Sequence, residues 1–375
     1  MNTGSLTARR TVRFRVARRR RGERECHYDE FDVPYRPGMT VLDALISIRT
    51  DQDPGLTLRH SCRHASCGTC GMRVNGRERL ACVTPVGDLG DKVLVEPLSG
   101  AAVLSDLVVD MRPFYEALEA VGRPQLRAVD GHGPPDGPVR LEDCIECGLC
   151  TSACPLVATD RRYLGPAALA AAERVVREPR GQDPAAALAL ADQEHGAWRC
   201  HVALECSQVC PAGLDPAGAI MELRRELLRR RLGHKSPQHE EPAEDGRWGG
   251  RRRGGRRGVR GWLDPRGRHS GMWTFVAGRL TGLGLLCYLY LHLIVLSLLT
   301  RGPGTWDRFI EVASHPAFLA LDVLMIAGLV VHGLHGVRVA LLGSGLLTGT
   351  RKALMITSVV SGGLVVLTAA LFLFS

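Results

Sequence analysis

Two cysteine runs in the middle of the chain repeat one frame. Cys144-x2-Cys147-x2-Cys150-x3-Cys154-Pro155 is followed by Cys200-x2-Ala203-x2-Cys206-x3-Cys210-Pro211. Spacing this tight favours backbone wrapped round iron–sulfur clusters over any other use of the thiols. In such a run the fourth cysteine serves the other cluster of a pair. Crossing the fourth cysteines gives one complete set of ligands, Cys144, Cys147, Cys150 and Cys210, which suits [4Fe–4S]. The other set holds three thiolates, Cys154, Cys200 and Cys206, with Ala203 at the fourth corner. That set suits [3Fe–4S], although alanine blocks nothing and water or a side chain could fill the corner.

A third group lies upstream. Cys62, Cys67 and Cys70 have the spacing C-x4-C-x2-C, and Cys82 follows after a short hairpin. This is the plant-type [2Fe–2S] spacing. A loop round such a cluster must let backbone amides reach the sulfides, and Ala65, Ser66, Gly68 and Thr69 are small enough to allow it. The competing reading is zinc, whose ligands usually come as two C-x2-C pairs. Of the thirteen cysteines only Cys26 and Cys287 stand outside the three groups; they read as ordinary thiols. A disulfide framework suits small secreted domains. Residues 1–25 carry Arg9, Arg10 and Arg18 to Arg21 without an apolar stretch of signal length.

The chain divides by composition. Residues 1–100 read as strands and turns: Thr11 to Val16 alternates, Phe31-Asp32-Val33 continues the pattern, and Asn75-Gly76 marks a hairpin. Thr40 is placed to cap a short helix through Val41, Leu42, Ala44, Leu45 and Ile48. Residues 101–235 turn helical, with segments expected at 166–177, 184–195 and 216–232. Residues 236–270 hold nine arginines among glycines and prolines and read as a linker. From 271 to 375 the chain is strongly apolar, with spans expected near 273–299, 316–342 and 353–374, each long enough to cross about 30 Å of hydrocarbon. The arginine-rich linker and Arg351-Lys352 orient these spans with the N-terminal domains in the cytoplasm and Ser375 outside. The same topology accounts for the net charge of +9, so no nucleic acid is needed to explain it.

Ionisable groups inside a span are costly and suggest function. Arg279 lies near enough to the start of the first span to snorkel. His332 lies near the middle of the second, and Gly336 follows one turn later. A neutral imidazole there can ligate haem iron or make an interhelical hydrogen bond. His335 and His292 are weaker candidates, and Arg338 could meet a haem propionate. No glycine-rich dinucleotide fingerprint follows a strand, and Gly343-Ser344-Gly345 reads as a turn between spans. Three centres in series make a conductor, and no catalytic constellation appears in the chain itself.

Clusters of these types in this order, followed by a haem-binding anchor, resemble the succinate dehydrogenase/fumarate reductase family. Ser61-Cys62-Arg63, Leu80-Ala81-Cys82, Cys144-Ile145-Glu146-Cys147-Gly148 and Leu164-Gly165-Pro166-Ala167 resemble its iron–sulfur subunit. Gly271-Met272-Trp273, Arg279-Leu280-Thr281-Gly282 and His332-x3-Gly336-Val337-Arg338 resemble its cytochrome b anchor. The resemblance implies an α+β chain with a β-grasp [2Fe–2S] ferredoxin domain, a helical ferredoxin domain holding [4Fe–4S] and [3Fe–4S], and a three-helix transmembrane anchor with haem b. It implies a separate flavoprotein (the A-type subunit) carrying FAD, and electrons delivered to a membrane quinone. Pro155, His201 and Arg279 match positions lining the quinone pocket, and a second small anchor subunit is expected. The family often has glycine at the position of Ala65 and histidine at that of Gly278. The inner (cytoplasmic) membrane is the expected location. Two rivals stand beside this reading: an electron carrier for a different quinone-linked flavoprotein dehydrogenase, and an anchored ferredoxin whose spans are structural and hold no haem.

Overall fold

The computed structural model describes residues 10–19, 23, 26–122, 144–178, 184–233, 270–343 and 351–374. The arginine-rich linker, Ser344-Gly345 and Ser375 therefore lie outside the described residues. The chain forms two compact units, Met1–His269 and Ser270–Ser375.

The first unit begins with the strands β1 (Thr11–Arg18) and β2 (His27–Pro34) and the helix α1 (Val41–Ser47). Strands β3 (Gly71–Val74), β4 (Arg77–Leu80) and β5 (Lys92–Glu96) complete a five-stranded sheet in the order β2-β1-β5-β3-β4. β1 pairs antiparallel with β2 and parallel with β5. Val12, Phe14 and Val16, alternating on β1, are buried with Val33, Val74, Val93 and Val95. Alternation in the sequence thus becomes one face of the core. Against it lies α1, presenting Val41, Leu42, Ala44 and Leu45. Its start is a capping box: Thr40 Oγ1 accepts from the Asp43 amide at 3.2 Å, and the Thr40 amide donates to Asp43 at 3.1 Å. The β3–β4 hairpin turns at Asn75-Gly76, both in the left-handed region.

Beyond the sheet come the short strands β6 (Val103–Ser105) and β7 (Val108–Val109), then the helix α2 (Arg112–Val121). Asp106, in the turn between β6 and β7, is buried and receives four hydrogen bonds. They come from Arg18 Nε (3.2 Å), the Arg19 amide (3.0 Å), and the Thr57 amide and hydroxyl (2.8 and 3.0 Å). It ties the end of β1 to the segment leading into Cys62. Asp106→Ala would remove one of three carboxylates round the buried Arg18 guanidinium and strip the Arg19 and Thr57 donors of their acceptor, at a cost of about 2–3 kcal/mol. A fall of roughly 10 °C in the thermal midpoint of cluster bleaching is the expected reading for a domain of this size. Alanine with an unchanged midpoint would show the node to be dispensable.

The rest of the first unit is helical: α3 (Leu149–Ala153), α4 (Pro166–Arg177), α5 (Ala185–Ala191), α6 (Glu205–Gln208) and α7 (Pro216–Gly233). The expected helices at 166–177 and 216–232 match α4 and α7. The one at 184–195 stops at Ala191, and the backbone then turns through Gln193 to Gly196. Gly196 permits that turn by close approach, since a Cβ there would lie 2.2 Å from the Ala191 carbonyl oxygen.

In the second unit α8 (Ser270–Leu296), α10 (Pro316–Gly343) and α11 (Arg351–Phe374) are the long helices. A further helix, α9 (Pro303–Ala313), lies between the first two. Among the described residues two segments, Gly271–Arg301 and Pro316–Leu342, are long and apolar enough to cross a membrane; the third expected span, 353–374, is not one of them. Their outward leucines, Leu283, Leu289, Leu293, Leu324 and Leu329 among them, are exposed, as suits a lipid-facing surface.

Candidate functional site

The two cysteine runs fold into the same loop. In the first, Glu146 and Gly148 take φ of +53° and +74°; in the second, Val202 and Leu204 take +54° and +63°. These are the second and fourth residues after Cys144 and Cys200 respectively. Left-handed backbone is unfavourable for any residue with a Cβ and most so for a β-branched one such as Val202. Repeating it in both runs indicates that the cradle, and not local preference, dictates the path. Each loop leads directly into a short helix, α3 after Gly148 and α6 after Leu204. Ala203 occupies in the second loop the place of Cys147 in the first.

The geometry follows from amides aimed at sulfur. The Val202 amide donates to Cys200 Sγ at 3.4 Å, and the Glu146 and Leu149 amides bond the Cys144 and Cys147 sulfurs. Upstream, the His64 amide donates to Cys62 Sγ at 3.4 Å. An amide two residues on, reaching back to a cysteine sulfur, is therefore common to all three groups. Such donors favour thiolate over thiol.

The thiols gather in three sets. Burial raises the Cys144 and Cys147 thiols, the latter to about 11, and Cys210 adds to both shifts although it is distant in sequence. Cys150 is pushed up by burial and then by Cys147, Cys144 and Cys210. These four border one cavity of about 150 Å³, shared with Ala167, Ala170 and Ala171 of α4. Cys206 is raised by burial and then by Cys154 and Cys200, which marks a second set with Tyr163 beside it. In the upstream group Cys70 is raised to about 12, chiefly by burial, and interacts with Cys82 and Cys67. Cys62, by contrast, is exposed to donors and lowered to about 5 by the Ser66 hydroxyl and then the His64 amide.

This donor chemistry fits iron–sulfur clusters. None of the thirteen cysteines is in a disulfide. Several are buried where an isolated thiolate would be unfavourable, a cost that a metal centre bound there would offset. Among the described residues no three His, Cys, Asp or Glu side chains close on a single ion, whereas four thiols round a cavity suit a polynuclear cluster. Arg63 and Ala65 in the upstream Cys62–Cys70 loop are also left-handed, at φ +62° and +64°, so Ala65 adopts a glycine-like conformation.

One buried cation escaped the sequence reading. Arg224 on α7 donates to the Ala197 carbonyl at 2.9 and 2.6 Å and to the Cys200 carbonyl at 2.7 Å. It lies on the apolar stripe of Ile220, Leu223 and Leu227. An arginine on the buried face of a helix was the available signal. Pro155 is buried and His201 exposed in the first unit. In the second unit the Arg279 guanidinium stacks 4.5 Å from the Phe275 ring, one turn back along α8, as a snorkelling arginine would.

The membrane histidines face glycines of α8. His332 Nδ1 lies 3.0 Å from the Gly278 carbonyl oxygen and 3.3 Å from Thr281 Oγ1. A carbonyl can only accept, so Nδ1 carries the proton and Nε2 keeps its lone pair. Holding the tautomer by a backbone carbonyl is the usual arrangement behind a histidine metal ligand. A Cβ on Gly282 would come within 2.9 Å of the His332 ring, and one on Gly278 within 2.5 Å of His335. The space beside the imidazoles is thus made by Gly278 and Gly282. Beside Gly336, one turn after His332, there is open space: a Cβ there would meet nothing within 4 Å. Arg338 is buried, and its Nε and Nη1 have no hydrogen-bond partner among the described residues; a carboxylate would satisfy both. This pairing of a free imidazole nitrogen and an unsatisfied guanidinium fits haem. His292 stacks on Tyr288 at 5.6 Å between ring centroids and is exposed.

Comparison with known proteins agrees with this division. Residues 13–116 match the 2Fe-2S iron-sulfur cluster binding domain, and 140–214 the 4Fe-4S dicluster domain. Residues 265–372 match the succinate dehydrogenase/fumarate reductase transmembrane subunit. The chain is 37% identical over 219 residues to the fumarate reductase iron-sulfur subunit of Haemophilus influenzae, covering 53% of this chain and 85% of that protein. It is 41% identical over 212 residues to the Mycobacterium tuberculosis fumarate reductase iron-sulfur subunit, covering 52% and 84%. It is 35% identical over 211 residues to the Coxiella burnetii succinate dehydrogenase iron-sulfur subunit, covering 53% and 88%. Among solved structures, a chain of the Mycobacterium smegmatis Sdh1 complex in the apo form aligns with a TM-score of 0.52 at 25% identity, over 62% of this chain and all of that one.

Proposed function

The chain belongs to the succinate dehydrogenase/fumarate reductase iron–sulfur subunit family, with the family's membrane anchor fused to its C-terminal side, and on that premise we propose how its residues work. It is the electron-transfer subunit of a quinone-linked succinate oxidoreductase. The N-terminal sheet and α1 form a β-grasp domain whose Cys62, Cys67, Cys70 and Cys82 hold [2Fe–2S]. Cys144, Cys147, Cys150 and Cys210 hold [4Fe–4S], and Cys154, Cys200 and Cys206 hold [3Fe–4S]. When bound, the clusters supply one-electron redox steps in series. The chain supplies the buried thiolates, the amide donors that stabilise them, and Arg224 as a fixed cation at the Cys200 carbonyl. The observation that carries this reading is the repeated left-handed loop with Ala203 at the corner that Cys147 fills in the other.

A separate flavoprotein bearing FAD would exchange electrons with the first centre, and quinone would take them at the far end of the series; the family resemblance marks Pro155, His201 and Arg279 as quinone-binding positions. Three spans, α8, α10 and α11, would cross the inner membrane with the iron–sulfur domains on the cytoplasmic side and the C-terminus outside. His332 Nε2 would ligate haem b, and Arg338 would hold a propionate. This chain would offer one central histidine to a haem, so a second small membrane subunit that supplies another ligand is part of the proposal. His332→Ala should abolish the haem band in a reduced-minus-oxidised spectrum of the membrane complex while cluster content stays unchanged. A surviving band would return His332 to an interhelical hydrogen-bonding role and give the haem to other ligands; a wild-type complex with no haem band at all would favour the structural-anchor reading.

A further inference from the structure

The loops that carry the first and second centres touch through backbone. A Cβ at Gly68 would lie 2.7 Å from Cys147 Cβ, 2.9 Å from Cys147 Cα and 2.9 Å from the Ile145 carbonyl oxygen. Gly71, just after Cys70, is nearly as close: its Cβ would be 3.2 Å from the Cys147 carbonyl and from Leu149 Cδ2. Two glycines of one cysteine loop thus abut the cysteine of the other, with no side chain between them. Gly68 also holds φ +69°, a conformation that glycine adopts readily. Beside the contact is a small cavity of about 60 Å³ with Cys67 and Cys147 on its wall, together with Arg59, Tyr115 and Glu146.

The same seam is pinned by polar groups. Glu78 of β4, between Cys70 and Cys82, accepts from Ser152 Oγ at 3.1 Å. Ser152 lies on α3 between Cys150 and Cys154, and its Oγ accepts from the Ser99 amide at 2.7 Å. Glu78 and Ser152 are both buried, each 4% exposed, and Arg73 Nε is 3.6 Å from Glu78. Buried polar groups joined in this way fix geometry. Here they fix the hairpin of one centre to the helix of the next.

We infer that this seam is the electron gap between the first and second centres, with Gly68 setting its width and the Glu78–Ser152 hydrogen bond holding it closed. The inference rests on the ligand assignment proposed above. Electron tunnelling falls exponentially with separation, so a device that excludes even a methyl group acts directly on rate. Gly68 and Ser152 are positioning residues: neither supplies a ligand.

The test uses the full chain in its membrane complex, chemically reduced, with the microwave power saturation of the [2Fe–2S] signal as readout. A neighbouring reduced [4Fe–4S] speeds relaxation of that signal, and the effect falls steeply with distance. Gly68→Ala should saturate at clearly lower power than wild type, with iron and sulfide contents unchanged. Ser152→Ala, which adds no bulk and leaves the [2Fe–2S] loop intact, should shift saturation the same way by less. If Gly68→Ala does not assemble its cluster, Ser152→Ala decides alone. Wild-type saturation in a variant with full clusters overturns the inference. Absence of these two cluster signals from the wild type would instead overturn the ligand assignment beneath it.

Discussion

Replacing Cys210 with alanine is expected to abolish the [4Fe–4S] centre and leave the three-thiolate centre in place, whereas Cys154→Ala should do the reverse. Proximity along the chain argues for the opposite, since Cys154 closes the first run and Cys210 the second. The folded chain argues for the crossing. Cys210 adds to the shifts of Cys144, Cys147 and Cys150 and borders their cavity, while Cys154 interacts with Cys206. Each substitution removes one thiolate from a set with none to spare, so the effect should be close to all-or-none in both cluster content and electron flow to quinone. Iron and sulfide analysis with low-temperature spectra of each centre checks it. Loss of the three-thiolate centre in Cys210→Ala would refute the crossed assignment.

The second large effect is expected from Ala203→Cys. Val202 and Leu204 already hold the backbone angles of Glu146 and Gly148, so a cysteine at 203 would stand where Cys147 stands in the sister loop. The corner that lacks a ligand would gain one, and the centre should take a fourth iron. Cluster type is among the factors that set potential. For one electron every 59 mV is a tenfold change in equilibrium, so a fall of about 120 mV would disfavour electron arrival at that centre about 100-fold. Quinone reduction should drop accordingly while the other two centres stay unchanged. A three-iron centre persisting in Ala203→Cys would mean that the cavity, and not the missing thiolate, limits the iron count.

The sequence made the cysteine sets legible because ligand spacing is imposed by covalent chemistry and changes little on folding. The same holds for the Asn75-Gly76 turn and the Thr40 cap, where a few adjacent residues decide the structure. What stayed hidden was non-local. The β1–β5 pairing brings together segments nearly the length of the domain apart, and no periodicity announces a parallel partner. Arg73, Glu78 and Glu96 look like exposed strand charges, yet they meet as a buried cluster. Arg224 is hidden for the same reason, its acceptors being carbonyls of a loop elsewhere in the chain. In the membrane unit the glycines that receive His332 and His335 belong to the facing helix, a pairing that no pattern along either helix announces. The helix α9 lies between the first two expected spans, where Asp307, Arg308 and Glu311 interrupt the apolar pattern.

Conduction of electrons between succinate chemistry and the membrane through three cysteine-held centres is what this chain is proposed to do. Anaerobic addition of succinate to the intact membrane complex, with each centre followed by its own low-temperature magnetic signal, tests it most directly. The account predicts that succinate reduces the centres of sufficient potential, the three-thiolate centre among them, and that added quinone reoxidises them. Centres that reduce with dithionite but stay oxidised with succinate, and do not respond to quinone, would contradict it.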